Sequence, residues 1–125
     1  MKAVLLIAHG SRIKEGKQEI LALTEKLREI LSGRYERVSS AFLERETPSV
    51  PTVIQDYINA GITHILIIPY LLATGTHVAY DIPEMVEAFR KQHPEVGIHV
   101  APHIGASKKM AGLICGHLEE LERFL

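Results

Sequence analysis

Apolar positions along the chain follow two periods, and the switches between them mark the elements. Lys2 to Ala8 is an almost continuous apolar run, as expected of a strand buried on both faces of a parallel sheet. From about Ile13 to Ser32 the spacing changes: Ile20, Leu23, Leu27, Ile30 and Leu31 recur every three or four residues, which predicts an amphipathic helix. Gly33 is its expected stop. Arg37 to Leu43, rich in β-branched and aromatic residues, reads as a second strand. Thr47-Pro48 then opens a second helix as N-cap and first-turn proline, with Val50, Val53, Ile54, Tyr57 and Ile58 as its stripe and Gly61 as its end.

The most apolar run, His64 to Leu72, predicts the third strand, followed by a loop holding Gly75, Thr76 and His77. Asp81, as N-cap, and Pro83 open a third helix to about Gln92, with Met85, Val86 and Phe89 inward and His93-Pro94 ending it. Ile98 to Pro102 predicts a fourth strand. Gly105 and Ser107 introduce a last helix with Met110, Leu113, Ile114, Leu118 and Leu121 on one face. Four strands alternating with four helices predict a single α/β domain over residues 1–125. Its sheet is an open, four-stranded parallel one with helices on both faces and right-handed crossovers, the layering of Rossmann- and flavodoxin-like folds.

Composition narrows the function classes. At 125 residues the chain supports one core without staples. A formal net charge of −1 gives no electrostatic case for nucleic acid or a membrane surface. The single cysteine, Cys115, excludes an intramolecular disulfide and fits a reducing compartment; its helical setting suggests a packing role. No apolar run reaches the roughly 18 residues of a membrane span. The Met1–Ile7 stretch is too short for a signal core, and His9-Gly10-Ser11 follows it directly. A cytoplasmic protein is the expectation.

Seven histidines are the compositional oddity, and their positions suggest chemistry. In a parallel sheet all strand ends share one rim, where open α/β folds bind ligands. That rim collects His9, Glu44, His77 and His103, each at or just past the end of a strand. Imidazoles and a carboxylate on one edge suit a first-row divalent metal, or proton acceptance near neutral pH. Glu44, within Glu44-Arg45-Glu46, reads equally well as part of a solvated loop. His103 reads equally well as a satisfied strand-end polar group. His64 belongs to the opposite rim, His99 falls within a strand, and His117 lies on the apolar face of the last helix, where core or interface positions are common.

His9-Gly10-Ser11 raises Ser11 as a nucleophile, but Gly-x-Ser-x-Gly is absent. No Gly-x-Gly-x-x-Gly or Walker loop supports nucleotide binding. Arg12, Lys14 and Arg45 stand near the rim as partners for anionic groups.

Several segments together resemble one family. They are Leu5-Leu6-Ile7-Ala8-His9-Gly10-Ser11-Arg12; Ala41-Phe42-Leu43-Glu44 with Thr47-Pro48-Ser49; and Pro69-Tyr70-Leu71-Leu72, Gly75-Thr76-His77-Val78 and Asp81-Ile82-Pro83. They resemble the sirohydrochlorin chelatases, the small class II (ATP-independent) chelatases related to ferrochelatase. The resemblance implies insertion of a divalent metal, Co²⁺ first, with Fe²⁺ and Ni²⁺ as alternatives, into the tetrapyrrole sirohydrochlorin, on routes to cobalamin, sirohaem or a nickel tetrapyrrole. It implies no organic cofactor, the metal being a substrate. His9 and His77 match the family's two essential histidines, and Glu44 its supporting acid. Ser11, Arg12, Arg45 and Thr76 are then the expected substrate-binding positions, with His103 as a possible addition. A homodimer is also implied. The His-rich tail or iron–sulfur cysteine motif of some relatives has no counterpart here. Two rival classes stay open: a non-catalytic carrier of metal or tetrapyrrole on the same rim, and a Ser11-dependent hydrolase.

Overall fold

The apolar amino-terminal run becomes the strand around which the sheet is laid. In the structure, a computed structural model describing residues 1–125, β1 (Lys2–Ala8) pairs in parallel with β2 (Arg37–Phe42) on one side and β3 (His64–Pro69) on the other. β4 (Gly97–Val100) extends the sheet beyond β3, giving the order β2-β1-β3-β4. The helices between them are α1 (Lys14–Ile30), α2 (Val50–Asn59) and α3 (Ile82–Gln92), and α4 (Met110–Glu122) follows β4. A π-helical turn (His77–Asp81) leads into α3, and a 3-10 turn (Ile104–Ala106) precedes α4. The expected α/β class and parallel sheet are borne out.

Alternation sorts the side chains onto two faces. Ala3, Leu5, Ile7, Ile65, Ile67 and Ile98 point to one face and form the core with Val50, Val53, Ile54 and Tyr57 of α2 and Ile82 and Val86 of α3. Met85 and Phe89 pack against its margin. On the other face Val4 and Leu6 line one apolar cavity with Leu23 and Leu27 of α1 and with Leu31 at its end. Thr24, the only fully buried residue of α1, donates its hydroxyl to the Ile20 carbonyl at 2.7 Å. The edges are closed by arginines: Arg28 Nε donates to Val38 O (2.9 Å), and Arg90 Nη2 to Ile98 O (2.6 Å). That removes acceptors from which a stray strand would otherwise extend the sheet.

The structure corrects several sequence-based boundaries. β3 stops at Pro69 rather than Leu72, and β4 spans Gly97–Val100 rather than Ile98 to Pro102. The N-cap of α2 is Ser49, whose hydroxyl accepts from Thr52 N at 3.4 Å, with Pro51 in the first turn, so Thr47-Pro48 lies outside the helix. Ile30 is exposed, off the packed stripe of α1. The larger correction concerns α4. None of its residues is buried, its main contact is with the 3-10 turn before it, and Cys115 and His117 are exposed rather than packed.

Tyr57 is the buried core residue with a polar tip, its hydroxyl donating to Val4 O at 2.7 Å. Burial pushes its pKa above the ordinary value of 10.0. The folded state therefore keeps this proton at a pH where the unfolded chain has lost it. The stability linked to it is complete below about pH 10 and declines as pH rises beyond that value. Tyr57→Phe is expected to cost about 1 kcal/mol at neutral pH through loss of the hydrogen bond, and to flatten the alkaline decline. Urea unfolding of both proteins between neutral and strongly alkaline pH checks this; parallel curves would refute the linkage.

Candidate active site

The strand order decides which rim residues meet. β1 lies between β2 and β3, so the residue after β1, His9, is flanked by Glu44 beyond β2 and His77 beyond β3. Pairing continues past the strand ends: Leu43 N donates to Ala8 O (2.9 Å) and Glu44 N to His9 O (3.0 Å). Gly10 makes that approach possible. Its φ is +109°, and a Cβ there would lie 1.8 Å from the Glu44 carbonyl oxygen. Only glycine both adopts that backbone and leaves room for the passing chain.

His77 is placed differently from the sequence-based expectation. It starts the π-helical turn rather than sitting in an irregular loop. Asp81 makes no N-cap bond; instead its carboxylate stands 2.7 Å from His77 Nδ1. A carboxylate can only accept here, so Nδ1 carries the hydrogen and Nε2 is left with a free lone pair. Asp81 is thus a candidate site residue that its sequence position, in the style of an N-cap, concealed. The available signal was its i,i+4 relation to His77, which on a helical turn brings the two side chains together.

The three groups converge. One donor atom each from His9, Glu44 and His77 lies within 4.8 Å of the others. His9 Nε2 is 3.3 Å from Glu44 Oε1, and the His9 and His77 ring centroids are 4.9 Å apart at 58°. His9 Nδ1 faces the Gly10 carbonyl at 3.3 Å; with its hydrogen directed there, the Nε2 lone pair opposes the Glu44 oxygen. Two acceptors face to face leave a gap that a proton or a cation fills. Ligands of one metal ion lie at most about 4.2 Å apart, twice a metal–nitrogen distance of about 2.1 Å. Small side-chain rotations therefore suffice to bring all three onto one ion. The His9 and Glu44 side chains are half and two-fifths exposed (50% and 40%), so a ligand reaches them from solvent.

The remaining expected site residues divide. His103 is not part of the convergence. It lies beyond β4, one strand farther out, and lines a separate cavity of about 560 Å³ with Val78, Val86 and Arg90. Ser11 Oγ accepts from Ile13 N at 3.1 Å, a local turn bond, and has no base beside it to activate a nucleophile. Arg45, with φ of 67°, turns its Nε to Glu44 Oε1 at 3.4 Å. Arg12, Lys14 and Thr76 are exposed. A cavity of about 210 Å³ next to His9 is lined by Gly10, Ser11, Lys17, Phe42 and Tyr70. The segments that carry His9 and His77 also present Ile13, Leu72 and Tyr80 to solvent, an apolar fringe not anticipated from the pattern.

Comparison with known proteins identifies the family of the chain. The family model described as CbiX matches residues 3–121. A sirohydrochlorin ferrochelatase of Bacillus subtilis is 30% identical over 96% of this chain and 45% of its own length. A sirohydrochlorin cobaltochelatase of Sulfurisphaera tokodaii is 31% identical over 98% of this chain and 96% of its own. Among solved structures, the sirohydrochlorin chelatase SirB of Bacillus subtilis subspecies spizizenii, in complex with cobalt, superimposes with a TM-score of 0.81 at 29% identity. That alignment covers 95% of this chain and 50% of SirB. The chain thus spans about half the length of the Bacillus relatives and nearly all of the archaeal one.

Proposed function

Because the chain belongs to the CbiX family, we propose that it inserts a divalent metal ion, Co²⁺ or Fe²⁺, into sirohydrochlorin without ATP or an organic cofactor. The observation that carries this reading is the convergence of His9, Glu44 and His77 at the rim. Insertion requires the ion to shed water while two pyrrole nitrogens lose their protons. The Nε2 atoms of His9 and His77 supply borderline nitrogen donors for the ion. As the ion passes to the macrocycle, the same lone pairs accept the pyrrole protons. Glu44, 3.3 Å from His9 Nε2, passes a proton onward to solvent. The substrate's peripheral carboxylates meet Arg12, Ser11, Thr76 and the amino end of α1, which has no side-chain cap. Ile13, Leu72 and Tyr80 offer apolar contact to the flat ring.

The test is an anaerobic spectrophotometric assay with sirohydrochlorin and Co²⁺, Fe²⁺ or Ni²⁺ in turn. Multiple turnovers above the enzyme-free rate are expected, and the relative rates rank the metals. Binding of both substrates with only stoichiometric transfer would replace this reading with a carrier. Asp81 supports the reaction through His77. With Asp81→Ala the imidazole loses its fixed hydrogen and orientation, and the Co²⁺ affinity is expected to fall about 10- to 100-fold. Calorimetric titration of Co²⁺ checks this; an unchanged Kd would remove Asp81 from the site. The working unit is proposed to be a homodimer.

A further inference from the structure

We propose that His64 and His99 form a second metal site, away from the rim, which takes a borderline divalent ion such as Zn²⁺ or Ni²⁺ and staples the edge strand β4 to β3. The inference does not rest on the chelatase reading, because neither residue belongs to the candidate active site. His64 opens β3 and Pro69 closes it, a strand of six residues. At about 3.3 Å per residue, His64 stands about 17 Å from the rim that carries His9 and His77.

Strand register brings the two histidines together. In the parallel ladder His64 stands opposite Gly97, and Leu66 opposite His99, so the histidines are diagonal neighbours. Each alternates with a buried residue, Ile65 and Ile98, and both therefore lie exposed on the other face. Their rings run nearly parallel, 21° apart with centroids separated by 5.4 Å, and His64 Nδ1 is 3.2 Å from His99 Nε2. Gly97 makes this meeting possible. A Cβ there would lie 2.6 Å from His64 Nδ1 and 2.9 Å from His99 Nε2, so any side chain at that position would wedge the rings apart.

Two ring nitrogens this close do not face each other with a hydrogen on both. At least one presents a lone pair, and the gap holds either one proton or one metal ion. Two nitrogens bound at about 2.1 Å to one ion are about 3.0 Å apart at a right angle and about 3.4 Å apart at the tetrahedral angle. The observed 3.2 Å lies between these values, so a tilt of the rings aims both lone pairs at one ion without moving the nitrogens apart. Imidazole donors with no carboxylate favour borderline ions over Mg²⁺ or Ca²⁺. No Asp, Glu or Cys joins the pair, so water completes the coordination and the ion exchanges freely. The cavity over the pair, about 370 Å³, is also lined by Lys2, which is in register with His64. Its ammonium opposes a cation and keeps the affinity moderate. An anion is not the better ligand, because the one hydrogen that the facing nitrogens share points between them. β4 has four residues and pairs with β3 alone. An ion held by both strands therefore secures the edge that opens most readily.

Zn²⁺ alone is the probe, on the full chain carrying His9→Ala and His77→Ala so that the rim does not compete. Calorimetry is expected to show one Zn²⁺ per chain, and ¹⁵N NMR of the histidine rings to move His64 and His99 together. Free Zn²⁺ at about 100 times its Kd is expected to raise Tm by about 10 °C. Adding His64→Ala or His99→Ala is expected to weaken binding at least about 100-fold, since loss of even an outer partner costs about 10- to 100-fold. Gly97→Ala keeps both ligands. Only the flexible ring ends must yield to its methyl, so the fold should stay intact while Zn²⁺ affinity falls by a similar factor. No binding up to about 1 mM Zn²⁺, or an affinity unchanged by His64→Ala and His99→Ala, would overturn the site. Binding that left Tm unchanged would overturn the staple. Metal insertion by His64→Ala in the otherwise native chain is expected to match the native rate, so this site and the chelatase reading stand or fall separately.

Discussion

His77→Ala is expected to lower metal insertion at least about 100-fold, the range associated with loss of a positioned general base being about 10²- to 10⁴-fold. The chain should stay folded. His77 is partly exposed, its side-chain hydrogen bond is to Asp81, and it is not a member of the buried core, so the stability change should stay within about 0.5 kcal/mol. The size of the effect follows from the geometry. With His77 gone, His9 and Glu44 keep their 3.3 Å pairing, but the ion loses a nitrogen donor and the second pyrrole proton loses its acceptor. The reading is the change in sirohydrochlorin absorbance with Co²⁺ under anaerobic conditions, beside thermal unfolding of the same sample. Activity within threefold of wild type would exclude His77 from the mechanism.

Gly10→Ala is expected to be the most damaging single methyl that can be added next to the candidate site. The added carbon would stand 1.8 Å from the Glu44 carbonyl oxygen in a backbone with φ of +109°. Relief requires either residues 43–45 to move outward, breaking the Glu44 N to His9 O bond, or Gly10 to leave its conformation. Backbone strain and the lost hydrogen bond together cost about 2–4 kcal/mol, which for a domain of this size lowers Tm by about 10 °C. Either route separates Glu44 from His9, so activity should fall with stability. Gly33→Ala is the control. Gly33 also has positive φ, at +79°, but a Cβ there meets nothing within 4 Å, so only the conformational cost of about 1 kcal/mol remains. Equal melting temperatures for the two variants would show that the contact with Glu44 is not what requires glycine at position 10.

The class of fold and most of the candidate site were legible in the residue pattern alone. Blocks of period-two and period-3.6 hydrophobicity are local consequences of backbone geometry, so four strands and four helices were legible, and parallel pairing followed from their alternation. From parallel pairing came the shared rim, and with it His9, Glu44 and His77. The tertiary structure decided what depends on spatial order. His103 met the same local criteria as His77, yet β4 lies one strand beyond β3, and no pattern within a segment encodes strand order. Asp81 has the spacing of an N-cap, and only the π-helical turn swings it onto His77. Gly10 reads as a tight turn, whereas its necessity comes from Glu44, 34 residues away in the chain. The stripe of α4 announces that something apolar must cover it. That the rest of its own chain does not bury it was decided by the tertiary structure, because hydrophobic burial is non-directional and a sequence records the need for burial without saying what supplies it.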